Sequence, residues 1–136
     1  MATALERFTQ AIDYPEAPPA GASAFTLVVD GDAVEATVVG GRLRLVKTLR
    51  SEEGGELSLA ALAGYAAGRL LKEEAVLAWD ATREAPILWQ DVEATADATQ
   101  LRRFFEVFAT SCDWWAARAH ETRQEAPRVP EMMIMP

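Results

Sequence analysis

Between residues 24 and 49 the apolar residues recur at every second position, and the run is broken twice by glycine. Phe25, Leu27 and Val29 alternate with Thr26 before Asp30-Gly31-Asp32. Val34, Ala36 and Val38 then alternate with Glu35 and Thr37 as far as Gly40-Gly41. In the third run Leu43, Leu45 and Leu49 oppose Arg42, Arg44 and Thr48. Successive side chains of a strand point to opposite faces, so a period of two marks strands with one face on a core. Glycine-bearing turns this short return the chain antiparallel to itself. The segment is therefore expected to be a three-stranded antiparallel meander whose apolar face must be covered by the rest of the chain. Val28, Val39 and Val46 place apolar side chains on the face the alternation reserves for polar ones. That second face suits either a peptide-binding surface or a thinly covered core edge.

Three segments have helical spacing. Leu5, Phe8 and Ile12 define a short amphipathic helix over 4–12, ended by Asp13-Tyr14-Pro15. An extended connection with Pro18, Pro19 and Gly21 follows. After a polar loop at 51–55, Ser58 can cap a helix to about Lys72 with Leu59, Leu62, Ala66 and Leu70 inward. Its other side is flat, with Ala61, Gly64 and Gly68 beside Leu71. Helical glycine costs about 1 kcal/mol relative to alanine, so this side is read as a packing or dimer face. Residues 75–79 and 86–92 form a second hairpin across Asp80-Ala81-Thr82-Arg83-Glu84, with Trp79 and Trp89 supplying apolar area. The last helix, 99–120, carries a stripe of Leu101, Phe104, Phe105, Phe108, Cys112, Trp115 and Ala119. Trp114 lies off that stripe beside Val107, and it meets either a partner or the edge of its own sheet. The order is α-β-β-β-α-β-β-α, an α+β fold of an antiparallel sheet with helices on one side. It forms one domain over 1–120, with a mobile tail over 121–136. In that tail Met132-Met133-Ile134-Met135 either stays free or docks in place of an absent ligand.

Charge and composition exclude several function classes. The chain has 136 residues, with 13 Lys and Arg against 21 Asp and Glu, a net charge of −8. That balance repels nucleic acid and anionic membranes. No apolar run reaches the length that spans a bilayer, and no signal-peptide pattern opens the chain. The single cysteine, Cys112, falls on the buried stripe and reads as a small core residue in a reducing, cytoplasmic compartment. His120 lies eight residues on, roughly 12 Å along a helix axis. That is too far for a thiolate–imidazole pair. One His and one Cys do not make a zinc site. Asp30-Gly31-Asp32 lacks the remaining spacing of a calcium loop, and the Gly pairs at 40–41 and 54–55 lack the lysine of a phosphate loop. No catalytic residue, metal ligand or cofactor is expected.

The element order, together with Phe25-Thr-Leu-Val-Val-Asp30-Gly31, resembles the class I type III secretion chaperones, the Tir chaperone (CesT-like) family. Ile87-Leu-Trp89-Gln90 with its acidic spacer, and Leu101-x-x-Phe104-Phe105 leading to Trp114-Trp115, resemble that family's last strand and closing helix. The likeness covers roughly residues 3–120. The longer proline-rich connection and the Met-rich end depart from it. It implies a cytoplasmic homodimer, not an enzyme, that keeps the N-terminal region of a secreted effector extended and secretion-competent. The effector would add a strand to a sheet edge and fill apolar patches between the first helix and the sheet. Leu5, Phe8, Ile12, Phe25 and Val28 are then the expected effector-binding residues. Ala61, Gly64, Gly68 and Trp89 are the expected dimer-interface residues.

Each has an alternative as plain core. Phe8→Asp distinguishes the two: a surface Phe8 loses the partner and keeps the fold, a core Phe8 unfolds. The other function classes are a regulatory or adaptor protein of the same fold, an enzyme with a closed polar pocket near His120 or the Asp80 loop, and a small-molecule domain with a deep pocket beneath Trp79 or Trp89.

Overall fold

The computed structural model describes residues 2–49 and 75–125, with the side chains of the last helix described as far as residue 117. The elements are α1 (Ala4–Ala11), β1 (Ala24–Val29), β2 (Asp32–Val39), β3 (Arg42–Thr48), β4 (Val76–Asp80), β5 (Ala85–Glu93) and α2 (Ala98–Glu125). The expected loop at 51–55, the helix over 58–72 with Ala61, Gly64 and Gly68, and the Met132–Met135 end lie outside the described residues. So does the His120 side chain.

Both early turns are two residues long. Asp30 and Gly31 have φ of 52° and 85°, Gly40 and Gly41 of 57° and 76°. Two consecutive positive φ values make type I′ turns, whose twist matches the strands they join. The second hairpin does not extend the meander in chain order. The sheet runs β1-β2-β3-β5-β4, antiparallel throughout. Pairing Leu43 with Val92 and Lys47 with Leu88 keeps the apolar positions of β3 and β5 on one face, which a slip of one residue would reverse.

That face carries the core. Leu27, Val34, Ala36, Leu43, Leu45 and Leu88 from the sheet pack with Leu5 and Phe8 of α1 and with Leu101, Phe104, Phe108, Cys112 and Trp115 of α2. Val38 and Val92 lie at its margin. Lys47 shares this face, an exception to the alternation. Its ammonium pairs with Asp32 at 3.2 Å, and its side chain is mostly buried. Trp114 is half-buried against the core margin, its ring edge-on to Trp115 with centroids 5.0 Å apart. It is therefore part of the chain's own packing.

Local chemistry sets the helix ends. Thr3 Oγ1 accepts the Glu6 amide at 3.2 Å at the start of α1. At the start of α2, Asp97 accepts from the Gln100 amide at 2.8 Å and Gln100 Oε1 accepts from the Asp97 amide at 2.9 Å. This reciprocal pairing over Asp97-Ala-Thr-Gln100 is a capping box. Beyond it, α2 runs on to Glu125, past the expected end at His120. Long-range bonds then fasten α1 in place. The Arg7 guanidinium donates to the carbonyl of Ala96 at 2.8 Å and to that of Ala94. Arg102 Nε donates to the Ala11 carbonyl at 3.1 Å, placing a cation at the negative end of α1.

Candidate functional site

The five residues expected to face an effector separate into two groups. Leu5 and Phe8 have no exposed surface. The Phe8 ring sits edge-on to Phe104 and Phe105, with centroids 6.3 and 6.0 Å away. Ile12 and Phe25 are half-buried at the core margin, and Val28 is 60% exposed. The structure thus brings Ile12 and Phe25 together at the surface where the end of α1 meets β1, above a core that Leu5 and Phe8 fill, whereas the Val28 side chain, out of step with Phe25 and Leu27 on β1, points to the opposite face of the sheet. Tyr14 belongs with Ile12 and Phe25. Its ring stands edge-on to Phe25 at 6.0 Å, and its hydroxyl accepts the Val28 amide at 3.0 Å.

The opposite face of the sheet, away from α1 and α2, is the second surface. Trp89 lies there in the row Glu35–Val46–Trp89–Val76. It is half-buried, and the Arg44 guanidinium lies 4.4 Å from its ring centroid. Arg44 and Arg42 also donate to Asp91, at 3.1 and 2.8 Å. The Arg42 hydrogen bond is the main reason the Asp91 carboxyl is held below the ordinary carboxylate range. Arg83, from the β4–β5 turn, reaches Glu35 on the same face. Its turn is held by Asp80 Oδ1, which accepts the amides of Thr82 and Arg83. Val76 is 46% exposed and Val46 half-exposed. The valines beside Trp89 make an apolar strip bordered by charges of both signs, the composition of an interface core with a polar rim. Trp79, 46% exposed, is on the helix side of the sheet and belongs to neither surface.

Among the described residues no group of His, Cys, Asp and Glu could hold a metal. None of the described helices is long and apolar enough to cross a membrane. Cys112 lines a hollow of about 30 Å³ with Lys47, Phe105 and Phe108. Burial is the main cause that pushes its thiol up to about 12. Only the thiolate is nucleophilic. At pH 8 native Cys112 is expected to react with Ellman's reagent about a thousandfold more slowly than the urea-unfolded chain. Equal rates would mean the thiol is open to solvent.

No protein-family model and no curated protein matches the chain. Solved structures do. A chain of the HopA1–SchA chaperone–effector complex matches with a TM-score of 0.65 at 15% identity, over 83% of this chain and 90% of that one. A chain of the ExoT–SpcS complex from Pseudomonas aeruginosa gives 0.64 at 18% identity, covering 82% and 92%. A chain of the heterodimeric ExoU–SpcU complex from the type III secretion system of Pseudomonas aeruginosa gives 0.59 at 15%, covering 81% and 94%. At such identities the likeness is one of fold, and it extends over nearly the whole of each matched chain.

Proposed function

We propose that this chain is a type III secretion chaperone of the class I, Tir-chaperone kind. In this reading it is a cytoplasmic homodimer without enzymatic activity. It holds the N-terminal segment of one secreted effector in extended form. The observation that carries the reading is the shared fold with chains of chaperone–effector and type III secretion complexes over more than four fifths of this chain. The surfaces support it. β1 is an outer strand of the sheet, and an outer strand offers a partner backbone hydrogen bonds, with alternate side chains for selectivity. Ile12, Phe25 and Val28 touch the effector in this reading. Leu5 and Phe8 lie beneath and hold α1 in position. Trp89, with Ala61, Gly64 and Gly68, meets the second subunit.

A pull-down from a bacterial lysate with mass spectrometry tests this. One prey protein is expected, retained through its first hundred or so residues. The double variant Ile12→Asp/Val28→Asp is expected to weaken retention at least about tenfold, because it sets two charges where apolar contact is needed. A prey that is a regulatory protein with no route to secretion would transfer the chain to the adaptor reading of the same fold.

A further inference from the structure

The register of β1 decides which of its backbone groups face away from the sheet. The Val38 amide donates to the Ser23 carbonyl at 2.9 Å, so 23 and 38 are a hydrogen-bonded pair. Such pairs recur at every second residue of an antiparallel ladder. Phe25, Leu27 and Val29 therefore bond to β2, opposite Ala36, Val34 and Asp32. Ala24, Thr26 and Val28 turn their amides and carbonyls outward. At Val28 the outward amide is already taken by the Tyr14 hydroxyl.

Tyr14 is held there by the end of α1. Ile12 is the C-cap of that helix, and Asp13 follows with φ of 55°. The Asp13 amide bonds to the Gln10 carbonyl at 3.2 Å and the Tyr14 amide to the Thr9 carbonyl at 2.9 Å. This paired closure is a Schellman motif, with aspartate where glycine is usual. It directs the next side chain, Tyr14, back over Phe25 and onto the strand edge.

We propose that Tyr14 plugs the β1 edge. Its hydroxyl oxygen stands where a backbone carbonyl of a docked strand would accept the Val28 amide. An extended peptide segment must therefore displace Tyr14 to add itself to the sheet. The inference rests on the chaperone reading in taking such a segment as the occupant. While the edge is empty, the plug caps one of the groups through which outer strands pair indiscriminately. When a partner arrives, the lost hydrogen bond subtracts from the affinity of docking.

The probe is a peptide selected on the intact wild-type protein from a phage-displayed library of twelve-residue peptides. Its dissociation constant is measured by fluorescence anisotropy. Tyr14→Phe keeps the ring against Phe25 and removes only the hydroxyl. It is expected to tighten binding about two- to tenfold, the worth of one exchanged hydrogen bond, and to speed hydrogen exchange at the Val28 amide in the free protein. Val28→Pro removes the outward amide and is expected to weaken binding at least about tenfold. Unchanged or weaker binding by Tyr14→Phe, with Val28→Pro still defective, overturns the plug and leaves the edge site standing. Peptides indifferent to Val28→Pro overturn the edge site itself. Should that variant fail to fold, protection of the Thr26 and Val28 amides by the peptide in the wild-type protein decides the same point. If Tyr14→Phe instead makes free chains pair edge to edge in light scattering, the occupant is a second copy, and the peptide proposal is overturned.

Discussion

Phe8→Ala is expected to cost about 3–5 kcal/mol of folding stability. That is a large share of what a domain of this size possesses. In thermal melts it corresponds to a fall of about 10–20 °C. The reason lies in how α1 is held. Eight residues are too few for a helix to stand in water on its own propensity. α1 exists because Leu5 and Phe8 are sealed against the sheet and α2, with the Phe8 ring wedged beside Phe104 and Phe105. Removing the ring leaves a cavity that Arg7 and Arg102, tied to backbone carbonyls, resist closing. Phe8→Asp is expected to be worse, since it buries a carboxylate with no partner. Urea titrations followed by circular dichroism measure both. A Phe8→Ala chain with an unchanged midpoint would show that the ring sits outside the core. In the chaperone reading, partner capture by such variants is expected to fail because α1 is lost, and with it the placement of Tyr14 and the exposed apolar residues.

The contrast between Phe8 and Val28 shows where the chain's pattern is readable and where it stops. Period two identified the strands of the meander and the faces of Leu43 and Leu45. Period 3.6 placed Phe104, Phe108, Cys112 and Trp115 on one buried stripe, as found. These are local regularities, and local regularities survive folding. A helical period says which side chains share a face, and it leaves open what covers that face. Leu5 and Phe8 therefore read equally well as an effector groove or as core, and the deciding bonds from Arg7 and Arg102 span more than eighty residues. The insertion of β5 between β3 and β4 is non-local in the same way. Lys47 departs from the alternation because Asp32, its partner across the β2–β3 pair, supplies a charge at the core margin. Tyr14 was invisible for a different reason. Asp13-Tyr14-Pro15 reads as a helix stop. Only the left-handed conformation at Asp13, uncommon for a residue with a side chain, turns the stop into a device that reaches β1.

If the chain forms the proposed homodimer, Trp89→Glu is expected to convert it into a monomer, read as a halving of mass by size-exclusion chromatography with light scattering. Trp89 is the largest apolar side chain on the sheet face that neither described helix covers. It stands between Val46 and Val76 on the neighbouring strands. Arg44 stacks on its ring and also bonds Asp91, so both side chains are held in one geometry before any partner arrives. Tryptophan and arginine so preorganised lose little freedom on association, and they dominate measured interface energies at about 2 kcal/mol or more apiece. A glutamate there removes the ring, leaves Arg44 without its stacking surface and puts a charge into the centre of the apolar strip. Two such charges facing each other across a twofold axis add repulsion to the lost contact. The fold is expected to survive, because the Trp89 side chain is not part of the core cluster. Trp79→Glu is the matched control. It is equally aromatic and 46% exposed, but lies on the other face, and is expected to leave the mass unchanged. If Trp79→Glu dissociates the dimer and Trp89→Glu does not, the twofold contact lies on the helix side of the sheet, and the face around Trp89 remains open for a different partner.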